Sequence, residues 1–306
     1  MVLLGAGRHI DWMAWQRKRK KETMKRMAAC LAQGADDPLA GILRTAVEAA
    51  LDAGHILAGL YHQPHQIRYK GEIDLVTEAD VASEKCILDM LAARHPASMI
   101  LSEESHAVYG DVPQQPVWII DPLDGTTNFA HGFPWFAVSI AYAEKGKSQV
   151  GVIYAPLQDE LFIACRDHGA WLNGEKIAVS ASDKLLASLL ATGFPYDIKE
   201  KADEVLSALR KFLGNCQGVR RAGAAALDLA CVACGRLEGF WEIHLKPWDT
   251  AAGLLLVEEA GGKVTDFRGQ TYTPFVPEIA ASNGLIHDEL ITRLQEFSVS
   301  RSLSHG

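Results

Sequence analysis

Residues 117–129 read Val117-Trp118-Ile119-Ile120-Asp121-Pro122-Leu123-Asp124-Gly125-Thr126-Thr127-Asn128-Phe129, an apolar run that breaks into two carboxylates, a glycine and two hydroxyls. A run of that length stopped by Asp-Pro has the pattern of a buried strand, Val117–Ile120, ending in a turn. Pro122 suits the first position of a helix, so the spacing predicts a helix opening there. Residues three apart on a helical turn face one way, which brings Asp121 and Asp124 to one point. Two carboxylates aimed at one point repel unless a proton or a cation lies between them. Amides following Gly125, at a helix N-terminus, would stabilise a phosphate oxygen. A hard divalent cation together with a phosphate answers both demands. The alternative reading makes Asp121 a helix cap and Asp124 a solvated first-turn acid.

Three further acidic segments have a similar shape. Met99-Ile-Leu-Ser102 leads a short strand into Glu103-Glu104. Asp74-Leu-Val-Thr-Glu-Ala-Asp80 ends an extended run and starts a helix. Lys246-Pro-Trp-Asp249 precedes an amphipathic helix, Thr250 to Ala260, with Asp249 at the N-cap position and Gly261-Gly262 closing it. Singly, each acid reads as structural. Together they supply oxygens for two or three Mg²⁺ ions, which bind through few carboxylates each and keep waters.

These residues resemble the signatures of the inositol monophosphatase family. Trp118 to His131 is similar to the first signature, Asp-Pro-hydrophobic-Asp-Gly-Thr-x-Asn-Phe, and Trp248-Asp249-Thr-Ala-Ala-Gly through Gly261-Gly262 to the second. Asp74 to Asp80, Glu103-Glu104-Ser105, Leu172-Asn173-Gly174, Thr192-Gly193-Phe194-Pro195 and Ser282-Asn283-Gly284 follow in the family's order, so the resemblance covers roughly residues 40–296. It implies that Glu103, Asp121 and the Leu123 carbonyl hold a first Mg²⁺, that Asp121, Asp124 and Asp249 hold a second, and that Glu103 with waters holds a weaker third. It implies that Thr126 orients the attacking water while Asp80 accepts a hydrogen bond from Thr126. A hydroxyl relays a proton only when a carboxylate accepts from it. The implied chemistry is in-line displacement between metals roughly 3.5–4 Å apart, without a phospho-enzyme. The rival Asp-x-Asp pattern of haloacid-dehalogenase-like phosphatases is rejected, because the spacing here is three and the segment lies far from the N-terminus.

By the same resemblance Asp124, Gly125, Thr126, Gly223-Ala224-Ala225 and Glu242, seven residues before Asp249, contact the substrate. Glu242 reads alternatively as an edge-strand surface charge. His244 stands where many relatives carry Gly, and reads either as a residue that narrows the pocket mouth or as a half-exposed strand residue. Lys70, Arg220 and Arg221 could meet an anionic substrate or simply be solvated.

Composition fits a soluble enzyme: 306 residues, 48% hydrophobic, enough for a large core in two coupled sub-domains. No apolar run approaches the roughly 18–20 residues of a membrane span. Six unevenly spaced cysteines make no disulfide framework, and Cys231-Val-Ala-Cys234 reads as buried structural thiols in a helix over Ala222 to Cys234. A reducing, cytoplasmic compartment is expected. Residues 1–37 carry a net charge of +4 against −8 for the whole, so the remainder is −12. A body that acidic attracts phosphate esters only with bound cations. The basic stretch within residues 8–26 reads as a floppy extension or an upstream start, with Met24 and Met27 close to where relatives begin, or as a basic helix for nucleic acid or membrane.

The expected organisation is a basic extension (1–37), a sub-domain with most metal ligands (38–185), a second sub-domain completing the site (186–298) and a tail (299–306), dividing around Lys184–Leu190. Helices are expected from Asp37-Pro38 to Leu60, over Val81–Arg94 and near Lys201–Leu213. Strands Val117–Ile120, Ala137–Glu144, Gln149–Ala155 and Glu160–Ala164 form an antiparallel run, with Lys145-Gly146 as a turn. The resemblance supplies the assembly, an α/β (α+β) layered αβαβα sandwich, and a homodimer. The expected activity is Mg²⁺-dependent, lithium-sensitive hydrolysis of inositol-1-phosphate or a similar polyol monophosphate. Fructose-1,6-bisphosphate, histidinol phosphate or a 3′-phosphoadenosine nucleotide are alternative substrates. An alternative of another class is a regulatory RNA- or partner-binding protein acting through the basic tail.

Overall fold

The strand that begins at Val117 does not stop at Ile120 but runs on through the Asp-Pro-Leu-Asp sequence to Asp124. It is the second strand of a seven-stranded sheet in a computed structural model that describes residues 39–63, 68–69, 75–105, 112–195 and 197–303. The basic tail, the Asp37-Pro38 helix start, Lys70 and Asp74 lie outside the described residues.

In chain order, α1 (Leu39–Leu60), β1 (Arg68–Tyr69), β2 (Leu75–Val76) and α2 (Glu78–Arg94) lead into the sheet. Its strands are β3 (Met99–Ser102), β4 (Val117–Asp124), β5 (Ala137–Glu144), β6 (Lys147–Ala155), β7 (Glu160–Cys165), β8 (Gly169–Leu172) and β9 (Glu175–Lys176), in spatial order of sequence; α3 (Thr126–Ala130) interrupts it after β4. The expected antiparallel run is present from β4 to β9, whereas β3 pairs with β4 in parallel. Lys145 and Gly146 both have positive φ, the conformation that a tight β5–β6 hairpin needs.

The second half supplies β10 (Leu189–Thr192), α4 (Ile198–Phe212), β11 (Gly218–Arg220), α5 (Ala225–Ala233), β12 (Gly239–Ile243), α6 (Pro247–Glu259), β13 (Lys263–Thr265), β14 (Glu278–Ser282) and α7 (His287–Leu303). Its five strands order as β11-β10-β12-β14-β13, with parallel pairs around β10 and antiparallel pairs around β14.

Strand alternation then builds the layers. On β4, Trp118 and Ile120 face a core shared with α1 and α2, while Val117 and Ile119 face a core shared with α5 and α6. That second core also takes Phe240, Ile279 and Ala281 from the five-stranded sheet, whose other face packs Trp241 and Ala280 against α4 and α7. The result is five layers, αβαβα, with α5 and α6 between two sheets. Among the described residues no helix is long and apolar enough to cross a membrane.

The central layer corrects the amphipathic reading of Thr250–Ala260. The helix starts at Pro247, and Trp248 and Thr250 through Val257 are all buried, because sheets cover it on both sides. Gly151 of β6 makes this approach possible: a Cβ there would lie 2.8 Å from the Ala252 carbonyl oxygen. The helix read over Ala222 to Cys234 begins only at Ala225, since Gly223 turns the chain at φ 84.

Candidate metal and phosphate site

Three of the four acidic segments end at one cavity of about 430 Å³, lined by Glu103, Asp121, Asp124, Thr126 and Asp249, with Glu242 among its other lining residues. Glu103 follows the parallel strand β3, and its amide donates to the Ile120 carbonyl. Asp121 and Asp124 come from the end of β4, by a route other than the helical turn expected at Pro122. Asp121 pairs with Ser139 and Asp124 with Ala137, so three steps on β4 match two on β5. This irregularity is a bulge, and a bulge re-aims the side chains that follow it. Both carboxylates thereby line the cavity from a strand, and the helix α3 opens only after Gly125, at φ 92. A Cβ on Gly125 would sit 2.9 Å from the Trp135 carbonyl oxygen, so glycine is required.

Asp249 is not the N-cap of α6. Lys246 occupies the cap, Pro247 the first turn, and Asp249 the third position, where Oδ2 accepts from the Lys246 amide at 2.6 Å. Asp124 also has a structural duty: its Oδ2 accepts from the Ala226 amide at 2.8 Å. The α5 cap residue, Ala224, makes no side-chain cap bond. Asp124 therefore caps α5 from another strand, tying the turn at Gly223 to the carboxylate cluster.

Burial and, after it, mutual repulsion raise the carboxyls of the cluster. Burial first, and then the charges of Glu103, Asp124 and Asp249, push Asp121 well above the usual carboxylate range. Burial pushes Asp124 up to about 7 against the helix amides that pull it down, with Glu103 adding to the rise. Asp249 is raised to about 7 by burial, opposed by the Lys246 amide and aided by Asp124. Such a set fits a bound divalent cation, which would relieve both burial and repulsion. Among the described residues no three His, Cys, Asp or Glu side chains gather tightly enough to form a cage by themselves.

Beside the cluster, Asp80 of α2 joins a capping box to the cavity. Its Oδ2 accepts from the amide and hydroxyl of Thr77, both at 2.7 Å, and its Oδ1 accepts from the Thr126 hydroxyl at 2.8 Å. The Thr126 oxygen also lies 3.0 Å from the Leu123 carbonyl oxygen. Desolvation raises the Asp80 carboxyl despite these donors.

At the opposite wall, Glu242 lies on β12, between β10 and β14, and is only 8% exposed, which removes the edge-strand reading. Burial and then the charges of Asp249 and Asp228 raise it well above its usual range, with Arg221 opposing. Gly193 makes the room: a Cβ there would overlap the Glu242 carboxylate. Gly223, Ala224 and Ala225 line the same cavity, and so does His244, whose φ of 64 is left-handed. Arg221 also lines it, stacked over Phe194 at 5.0 Å. Arg220, on β11, does not line the cavity. Cys231 lies in the last turn of α5 and Cys234 at its C-cap, and none of the five cysteines among the described residues forms a disulfide.

Several positioning residues escaped the sequence reading. Glu84, one helical turn after Asp80, accepts from the Ser102 hydroxyl and from the amide and hydroxyl of Ser105, clamping both flanks of Glu103. Ser83 donates to the Pro122 carbonyl at 2.6 Å. Asp80, Ser83 and Glu84 follow an i, i+3, i+4 spacing, a polar stripe that the sequence did display. Asn128 donates to the carbonyls of Trp135 and Ala222 at 2.7 and 2.9 Å, holding the Gly223 turn against α3.

Known proteins share this fold and much of this sequence. The model of the inositol monophosphatase family matches residues 39–300. Nus factor SuhB of Escherichia coli is 43% identical over 257 residues, covering 83% of this chain and 96% of that protein. Inositol-1-monophosphatase of Synechocystis sp. is 45% identical over 249 residues, covering 81% and 86%. Among solved structures, the inositol monophosphatase of Anabaena (Nostoc) sp. superposes with a TM-score of 0.77 at 44% identity, covering 85% of this chain and 97% of that one. Thermotoga maritima IMPase gives 0.74 at 36% identity, covering 83% and 96%. Fold, cavity and sequence converge, and the chain belongs to the inositol monophosphatase family.

Proposed function

We propose that this phosphatase hydrolyses inositol-1-phosphate or a similar polyol monophosphate with Mg²⁺ held by Glu103, Asp121, the Leu123 carbonyl, Asp124 and Asp249. The observation that carries this reading is the meeting of four carboxylates and the Asp80–Thr126 pair at one cavity whose far wall is Glu242. Mg²⁺, as two or three ions, supplies charge neutralisation for the phosphoryl group and the departing alcohol. The protein's own residues do the rest. Thr126, donating to Asp80, keeps an oxygen lone pair for a proton of the attacking water. Gly125 and the amides after it face the phosphate. Glu242 accepts from an alcohol hydroxyl, and the Gly223–Ala225 segment, fixed by Asn128 and Asp124, borders the alcohol. The names of the Synechocystis and Anabaena proteins support the substrate. Lithium sensitivity, a homodimer and a cytoplasmic setting go with the same reading.

Phosphate release from inositol-1-phosphate, fructose-1,6-bisphosphate, histidinol phosphate and 3′-phosphoadenosine 5′-phosphate, with Mg²⁺ and with chelator, tests it. Chelator-sensitive turnover fastest on inositol-1-phosphate is expected. Faster turnover of another ester would replace the substrate, and metal-independent release would refute the site.

A second reading rests on the name Nus factor carried by the Escherichia coli relative. It adds a regulatory RNA- or partner-binding role to the phosphatase, which we assign to residues 8–26 on their basic charge alone, since the region shared with the family begins at residue 39. Deleting residues 1–36 should then weaken RNA binding, and unchanged binding would sink it.

A further inference from the structure

His244 combines two costs at one position. It follows β12 directly, in the left-handed region at φ 64, a conformation that histidine adopts more often than most side chains but still uncommonly. Its Nε2 is buried and has no hydrogen-bond partner among the described residues. Buried polar atoms are nearly always paired, because removing one from water without a partner is costly. His244 lines the catalytic cavity, two residues beyond Glu242. Backbone strain and an orphaned polar atom persist together where a site uses them.

We propose that His244 is a specificity-determining residue whose Nε2 hydrogen-bonds a second hydroxyl of the substrate's alcohol, next to the one bound by Glu242. This rests on the polyol phosphatase reading and deepens it. A neutral hydroxyl suits the wall better than a second anionic group. Glu242, Asp249, Asp228 and Asp124 all bear on this region, and Glu242 itself is held there by burial among like charges. A hydroxyl can donate to Glu242 or exchange a hydrogen bond with either tautomer of the imidazole. A site that pairs its buried polar groups with substrate hydroxyls discriminates against an ester that lacks them, because those groups are then left unpaired.

The test compares kcat and KM of the full chain with Mg²⁺ on inositol-1-phosphate and on 4-nitrophenyl phosphate, which has no alcohol hydroxyls. His244→Asn tolerates the left-handed backbone but falls short of the Nε2 position. The ratio of kcat/KM for the polyol ester over the phenyl ester should fall roughly 3- to 10-fold in this variant, the worth of one hydrogen bond, chiefly through KM. His244→Gly should show the same fall with the backbone relaxed, and His244→Gln, which reaches about as far as Nε2, should recover part of it. An unchanged ratio, or parallel losses on both esters, would overturn the role of His244. Wild-type enzyme that hydrolyses the phenyl ester but no hydroxylated ester would instead overturn the substrate reading beneath it.

Discussion

Asp80→Asn isolates the proton relay with almost no change of shape. In the native site the Thr126 hydroxyl has two acceptors, Asp80 Oδ1 at 2.8 Å and the Leu123 carbonyl at 3.0 Å. It has one proton, and the charge-assisted bond to the carboxylate is the stronger. An asparagine must keep its carbonyl oxygen towards Thr77, because the buried Thr77 amide and hydroxyl both donate there. The new NH₂ group then faces Thr126 and donates to it. The threonine proton turns to Leu123, and the lone pair that would receive a proton from water is occupied. Hydrogen bonds to Thr77 survive and Thr126 stays paired, so stability should change by no more than about 1 kcal/mol. Turnover should fall by about 10²- to 10⁴-fold, the usual worth of positioned acid–base catalysis. Phosphate release at saturating substrate and Mg²⁺ reads kcat, and thermal melting reads the fold. Thr126→Val should cost a similar factor, and the double variant should be scarcely worse than either, because the pair acts as one unit. Near-native kcat in Asp80→Asn, or full additivity in the double variant, would refute the relay.

Glu84→Ala should weaken apparent Mg²⁺ affinity about 10-fold by releasing the serines that flank Glu103, as other groups that orient metal ligands do; an unchanged Mg²⁺ titration would contradict it. Gly193→Ala should displace the Glu242 carboxylate, raising KM for the polyol ester while costing about 1–3 kcal/mol in denaturant stability from overpacking; normal KM would show that Glu242 tolerates the move. His287 is buried between Thr265 and Ser282, and burial, aided by Lys263, holds its pKa down at about 4. Its unfolded value near 6.5 is higher, so its stability contribution is present above pH 6.5 and is lost as pH falls towards 4. Denaturant midpoints measured across that window should drop in the wild type and drop less in His287→Gln; parallel curves would refute the assignment.

What could be read from the sequence was whatever a short segment decides by itself. The carboxylates stood in local motifs, and the β5–β7 strands alternated or ran apolar between clear turns. What could not be read depended on a distant partner. The chain break after Ile120 resembles a helix start because Pro122 fits one, yet β5 holds Asp121 and Asp124 in a strand through its own register, with a bulge between them. The α6 segment looked amphipathic because glycine and threonine count as polar in a pattern, whereas a second sheet covers that face. Asp124 shows why the two readings of a carboxylate, structural cap and functional ligand, were never exclusive. One oxygen caps α5, which brings the Gly223–Ala225 segment to the cavity. The carboxylate stays on the cavity wall, where it is raised to about 7 by burial and by its neighbours. A substitution there would therefore loosen the alcohol-binding wall as well as the metal site, and its kinetic cost could not be assigned to the metal alone. Asp80→Asn is the sharper probe for that reason: its structural bonds survive while its catalytic bond is inverted.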